Sequence, residues 1–342
     1  MTADRSQVAR YDSFLDVSTD DPRVAFVNEL VRIGETDDRL LVLDVDVSRR
    51  TLSRTFRDRY PDRFWDFGVA EQNMMAVAAG LAREGFIPFA FGFAVFATMR
   101  ALEQLRTSIC YPRLNAKIIG GYAGLSNGKD GATHHSIEDI AITRSLPNLV
   151  VVSVSDPVIA RKIARAAYEY EGPVYIRMEY ENASAIHSPE LTFEIGKGYC
   201  VREGKDITIA TYGIALARAM DAAQTLAKEG IDAEVLDLPT LKPFDHDLLL
   251  ASVGKTGALV TLEDHNVIGG LASVACQTLI EAHLLPIFRA LGIQDHFTES
   301  GKNDELRRKY GIDAAAVVRA AREVAASCGG RPAREGTRLW TG

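Results

Sequence analysis

The stretch Phe64-Trp65-Asp66-Phe67-Gly68-Val69-Ala70-Glu71-Gln72-Asn73-Met74-Met75-Ala76-Val77-Ala78-Ala79-Gly80 decides how this chain is read. It is a short buried strand, a turn at Gly68, and an apolar helix that carries Glu71 in its first turn. An acidic residue there is ordinarily structural, because the unpaired N–H groups and the positive dipole end of a helix favour it. Its company argues for more. No serine or threonine cap precedes Glu71, the helix after it is almost wholly apolar, and an aromatic run follows downstream. A carboxyl held against apolar surroundings can make its proton available near neutral pH.

Outward from this stretch, strands alternate with helices. A helix is predicted near 22–35 and a strand at Leu40–Asp46. Further strands follow at Ile87–Ala90, Lys117–Gly121, Leu149–Val154 and Val174–Arg177, with helices near 95–110 and from Asp156 to about Tyr170. Apolar strands separated by helices of about a dozen residues predict parallel sheets covered on both faces. Residues 183–205 break the rhythm with Ser184, Ser188, Pro189 and several charges, which marks a linker. The alternation resumes at Ile207–Thr211 and continues through Glu234–Leu238 and Ala258–Leu262 to helices near 270–284 and 313–326. The expected organisation is α/β in two domains, each a mainly parallel sheet flanked by helices. They span 20–182 and 206–326, with a polar arm at 1–19 and a tail at 327–342.

The 342 residues, 47% hydrophobic and 25% charged, suit a globular chain of about two domains. A net charge of −7 argues against nucleic acid as the main partner. The basic stretch of Arg49, Arg50, Arg54, Arg57, Arg59 and Arg63 is broken by Asp58 and Asp62, and reads as a solvated loop or a subunit contact. The polar start lacks a signal-peptide core, and no apolar run approaches the roughly 18 residues of a membrane span. Cys110, Cys200, Cys276 and Cys328 are scattered without CxxC spacing, which predicts neither a disulfide framework nor a zinc site. A cytoplasmic location without a membrane partner is expected.

Two further segments carry chemistry. Phe91, Phe93, Phe96 and Met99 lead into a helix ahead of Arg100. Such a stripe can be plain core, or the apolar stacking wall that a planar heterocycle requires. The loop from Gly120 to Gly131 is glycine-rich but fails the phosphate-loop template, since Asp130 rather than Ser or Thr follows Lys129. Its continuation, Asp130-Gly131-Ala132-Thr133-His134, reads as a turn with a capping residue or as part of a substrate site. Adjacent His134 and His135 point apart on an element and make no metal site.

Taken together, Gly68-Val69-Ala70-Glu71-Gln72-Asn73, the pair Phe93 and Phe96, and Asp130-Gly131-Ala132-Thr133-His134 resemble the pyrimidine-binding domain of transketolases and 1-deoxyxylulose-phosphate synthases. Ile209-Ala210-Thr211-Tyr212-Gly213, Leu238–Asp245 and Thr261–His265 with Gly269-Gly270 are similar to the C-terminal domain of the same family. The resemblance implies that Glu71 contacts N1′ of thiamine diphosphate's aminopyrimidine, where proton exchange leads to loss of the proton on the thiazolium C2. The hard chemistry is then the cofactor's. It also implies that Phe96 stacks on the pyrimidine beside Phe93, with Met99 where many relatives carry tyrosine. Asp130 and His134 would bond sugar hydroxyls, His134 also moving protons.

Two departures concern the substrate phosphate. Tyr122 stands where the family has a phosphate-binding histidine, and Tyr180 where it has an arginine. Ser48, Arg177 or Arg100 would then hold the phosphate, or the acceptor is unusual. The Gly-Asp-Gly motif of the Mg²⁺ and diphosphate half does not occur. The resemblance therefore implies the C-terminal subunit of a split transketolase, with thiamine diphosphate at an interface, Mg²⁺ held by an N-terminal partner, and an α2β2 assembly. The alternatives are the β subunit of a 2-oxo-acid dehydrogenase E1 and a catalytically silent scaffold. Glu263, Asp264 and His265 read as structural or interface residues.

Overall fold

Strands rich in Val, Ile and Leu have no polar face, so both of their faces must be covered. The computed structural model, which describes residues 21–328, shows how. Strands β1 (Leu40–Asp44), β2 (Phe64–Asp66), β3 (Ile87–Phe93), β4 (Lys117–Gly121), β5 (Val150–Ser153) and β6 (Val174–Met178) precede β7 (Tyr199–Arg202), β8 (Ile207–Thr211), β9 (Ala233–Asp237), β10 (Thr240–Lys242), β11 (Ala258–Asn266) and β12 (Ile287–Ile293). They form a seven-stranded sheet in the order β10-β5-β6-β4-β3-β1-β2 and a five-stranded sheet in the order β12-β11-β8-β9-β7. Pairing is parallel except at two edges, where β10 runs against β5 and β7 against β9.

The helices Pro22–Gly34 and Pro157–Glu169 pack against each other over one face of the larger sheet. Each starts with an aspartate cap, Asp21 or Asp156, followed by proline, so orphan donors are satisfied where the ring needs none. Between them and the sheet, Phe26 meets Phe89 and Phe91 edge-on at 6.4 and 6.3 Å. Burying each such ring contributes about 1.5–3 kcal/mol. The core on the opposite face contains the helix Glu71–Arg83 and runs on into the second sheet through Tyr212, Leu236 and Leu259.

Three features differ from expectation. The linker is not free of structure: Tyr199–Arg202 is an edge strand, and His187 is buried between Asp156 of the first domain and Asp237 of the second. Half-buried edge strands lack the apolar run that marks a central one. Second, β10 belongs in sequence to the second domain but completes the first sheet. Third, the helix expected near 95–110 is wound wide. Ala101 N–H reaches the Phe96 carbonyl and Tyr111 N–H the Arg106 carbonyl, five residues back. The Thr98 hydroxyl donates to the Ala94 carbonyl at 2.7 Å, occupying the acceptor that an α-helix would offer to Thr98 N–H. Wide turns of this kind are rare and are found frequently at functional sites. The N-terminal arm and nearly all of the expected tail lie outside the described residues.

Candidate active site

In an open α/β sheet, ligands bind beyond the carboxyl ends of the strands. Ser48 follows β1, Glu71 follows β2, Phe93 ends β3, Tyr122 follows β4 and Tyr180 follows β6. Parallel pairing places all these ends along one edge.

Glu71 is the first residue of its helix, and Ala70 before it provides no side-chain cap. Its carboxylate is 3% exposed and accepts from Arg100 Nη1 at 2.9 Å, whereas Arg100 is 45% exposed and lies 4.3 Å over the Phe96 ring. Phe96 and Arg100 bound the wide turn, so that turn sets the reach of both. Phe93 and Phe96 lie 6.3 Å apart and tilted by 30°. His134 meets Phe96 edge-on at 5.2 Å and Phe93 at 6.2 Å, with its Nδ1 3.0 Å from the Thr133 hydroxyl. Residues from three distant segments thus share one shelf: a buried carboxyl, two half-buried rings and an imidazole. Met99 and Asp130 are exposed at its margin.

A second cluster adjoins the shelf. Tyr122 stacks on Tyr180 at 4.3 Å with 15° between planes, and Phe93 lies 4.7 Å from Tyr122. Arg23 sits 3.9 Å over the Tyr180 ring, grips Asp21 through Nη2 at 2.6 Å, and donates from Nη1 to the Arg50 carbonyl at 2.8 Å. Tyr122 above all, and to a lesser extent Tyr180, hold the Arg50 guanidinium above its ordinary value. Burial pushes the Tyr122 phenol up. The Tyr122 hydroxyl and Arg23 hold the Tyr180 phenol below its ordinary value. Sequence reasoning did not single out Arg23 and read Arg50 only as part of a solvated basic stretch. The signal for Arg50 was its place beside Ser48, which is buried at the start of the short helix after β1.

Arg177 is a correction. It is fully buried and holds Asp139 through Nε at 3.0 Å, Glu179 through Nη1, and the Asp264 carbonyl through Nη2 at 2.7 Å. With each donor edge engaged in the interior it is closed to a substrate phosphate. Arg100 is likewise engaged, on Glu71, but from a half-exposed position. Glu263, Asp264 and His265 lie buried on β11. Glu263 accepts from the N–H groups of Leu271 and Ala272, and Asp264 from that of Leu125, so these carboxylates organise backbone.

The transketolase pyrimidine binding domain matches residues 21–184, and the transketolase C-terminal domain matches residues 196–317. The chain belongs to the transketolase family. That family is one of thiamine-diphosphate-dependent transferases, and the two matched domains, together with split-transketolase subunits among the relatives, support the C-terminal subunit of a split transketolase over the β subunit of a 2-oxo-acid dehydrogenase. A 6-deoxy-6-sulfo-D-fructose transketolase subunit, SqwH, of Clostridium sp. (strain MSTE9) is 42% identical over 88% of this chain and 94% of its own. One of the apulose-4-phosphate transketolase subunits of Phocaeicola vulgatus is 32% identical over 88% of this chain and 96% of its own. A solved split gene transketolase, described as an inactive β4 tetramer, superposes with a TM-score of 0.83 at 44% identity, covering 89% of this chain and 98% of that one. No helix among the described residues is long and apolar enough to cross a membrane.

Proposed function

We propose that this chain is the C-terminal subunit of a two-chain transketolase, moving a two-carbon ketol unit from a ketose to an aldose-type acceptor with Glu71 as its acid. The observation that carries the reading is the buried Glu71 carboxyl opening onto the Phe93 and Phe96 shelf with His134 at its edge.

These residues suit a thiamine-diphosphate pyrimidine. A carboxyl nearly shut off from water can exchange a proton with a ring nitrogen, and the half-buried rings offer a stacking face. When bound, thiamine diphosphate supplies the thiazolium carbon that adds to the ketose carbonyl and carries the transferred unit. Glu71 holds or returns the proton at N1′ of the pyrimidine, which requires Arg100 to yield its place on the carboxylate. Phe96 and Phe93 orient the ring and keep water from one side. His134 exchanges protons with the sugar hydroxyls, and Asp130 bonds them at the rim. The ketoses named for two relatives carry a sulfonate or a phosphate. Arg50, exposed beside Ser48, provides charge-assisted donors for such a tail, while Arg23, engaged by Asp21 and the Arg50 carbonyl, braces the cluster.

A separate N-terminal subunit would hold Mg²⁺ and the diphosphate. Trp65, Val69 and Met99 are apolar and exposed around Glu71, which supports a covering partner. The inactive β4 assembly of the solved relative supports dependence on that partner.

The test uses the chain combined with the subunit that carries the Gly-Asp-Gly half. Glu71→Gln should preserve assembly while slowing hydrogen–deuterium exchange at thiazolium C2 by about 10²–10⁴-fold. Unchanged exchange would reduce Glu71 to a helix-start acid and overturn the reading.

A further inference from the structure

The loop that carries Asp130 and His134 is gripped from behind by the C-terminal domain. Asp264, at the end of β11, accepts from Leu125 N–H through Oδ1 at 2.9 Å. Asn303, the first residue of the helix Asn303–Lys309, accepts from Gly128 N–H at 3.1 Å and donates to the Ser126 carbonyl at 3.1 Å and to Glu181. Gly301 N–H completes the pairing by donating to the Gly128 carbonyl at 2.9 Å. Both backbone groups of Gly128 are therefore held by residues far away in sequence.

The loop glycines record how close this grip is. A Cβ on Gly124, whose φ is +61°, would lie 2.7 Å from the Asp264 carboxyl carbon. One on Gly128 would lie 2.6 Å from the Gly301 carbonyl oxygen. Gly124, Gly128 and Gly131, in the loop that resembles a phosphate cradle, thus form a surface shaved to admit the other domain, whereas Gly120 and Gly121 lie against Tyr175, Gly92 and Thr51 of their own domain.

His135, next to the candidate proton carrier, makes the third attachment. Its Nε2 faces the Asn127 carbonyl at 3.2 Å and so carries the hydrogen, leaving Nδ1 to accept from the Thr298 hydroxyl at 2.5 Å. Burial disfavours its charged form, in keeping with that single tautomer. Asp264 is itself braced, with Arg307 Nε at 3.5 Å and Arg218 Nη2 at 3.8 Å from Oδ2, and Arg307 also holds Glu181 at 2.8 Å.

We propose that Asp264, Asn303 and Thr298 are positioning residues through which the C-terminal domain sets the place of the substrate loop, and with it Asp130 and His134. The proposal rests on the ketol-transfer reading for what those two residues meet. It assigns the C-terminal domain a part in turnover without any contact to cofactor or substrate. Reactive groups misplaced by about 1 Å can lower a rate by about 10²-fold, so a loop held by so few bonds is sensitive to each.

Three measurements on Asn303→Ala test it, with Thr298→Val as a second, milder variant. Amide hydrogen exchange of the full chain alone should accelerate in residues 123–135 and stay unchanged in the helix that begins at Glu71. In the two-chain enzyme, with xylulose 5-phosphate and ribose 5-phosphate, kcat/KM should fall by about 10–100-fold. Exchange at thiazolium C2 should stay within about twofold of wild type, since Glu71 is untouched. Asn303→Asp keeps the acceptor for Gly128 N–H but sets a second carboxylate against Glu181 and the Ser126 carbonyl, so it should loosen the loop at least as far as Asn303→Ala. Unchanged loop exchange would overturn the clamp. A parallel loss of C2 exchange, or full activity with a loosened loop, would overturn its role in turnover. If the wild-type pair transfers no ketol unit from either xylulose 5-phosphate or 6-deoxy-6-sulfo-D-fructose, the functional reading fails, while the exchange data still decide whether the clamp exists.

Discussion

Arg100 and Arg177 both pair with carboxylates, yet they sit in opposite surroundings. Arg177 and its partners Asp139 and Glu179 are 0–1% exposed, at the seam between the two sheets. Arg100 is 45% exposed over a carboxylate that is 3% exposed. A buried pair cannot exchange a partner without stranding a charge. A pair with one wet member can, because water or a ligand replaces the arginine as it leaves. Exposure, more than the type of contact, separates a permanent strut from a removable cover over the proposed acid.

The largest effect should come from breaking the strut. Arg177→Ala strands Asp139 and Glu179, and denaturant unfolding should show a loss of about 3–5 kcal/mol. A loss below about 1 kcal/mol would mean that water reaches this seam and that the contrast with Arg100 is false.

His187 offers an intermediate case, buried between Asp156 at 2.9 Å and Asp237 at 3.3 Å. Burial opposes its charge, but the Asp156 hydrogen bond and the two carboxylates outweigh it, so its pKa is raised. Stability from a raised histidine is complete below its unfolded value of about 6.5 and fades as pH climbs through the folded one. His187→Gln should therefore cost about 1.5–3 kcal/mol at pH 6, the range for a hydrogen bond to a charged group. Urea titrations should find the gap from wild type narrowing at pH 8. A gap that widens with pH would show that the histidine is buried neutral.

The smallest change is expected at the cover. Arg100→Ala should shift unfolding by less than about 1 kcal/mol, because the helix end and entering water still solvate Glu71. A loss comparable to that of Arg177→Ala would make Arg100 a strut as well.

Much of this was legible from local pattern. The apolar strands announce two mainly parallel sheets, and Glu71, Phe93, Phe96 and His134 stand out within short motifs. The cations beside the shelf were harder to see. Arg177 looked available because it closes a predicted strand just ahead of Tyr180, while Arg50 read as part of a solvated basic stretch and Arg23 carried no motif. The clamp was hidden because Asp264 and Asn303 lie far along the chain from the glycines they hold.

The amino-acid sequence by itself determined the elements and the chemical types in the shelf, because helix starts, strand runs and turn glycines are properties of a few neighbouring residues. Only the tertiary structure decided which arginines stay accessible, that β10 completes the other domain's sheet, and that the glycine loop serves a domain contact. Those outcomes depend on burial and on partners distant in sequence, since desolvation is settled by what packs around a group and not by the residues beside it.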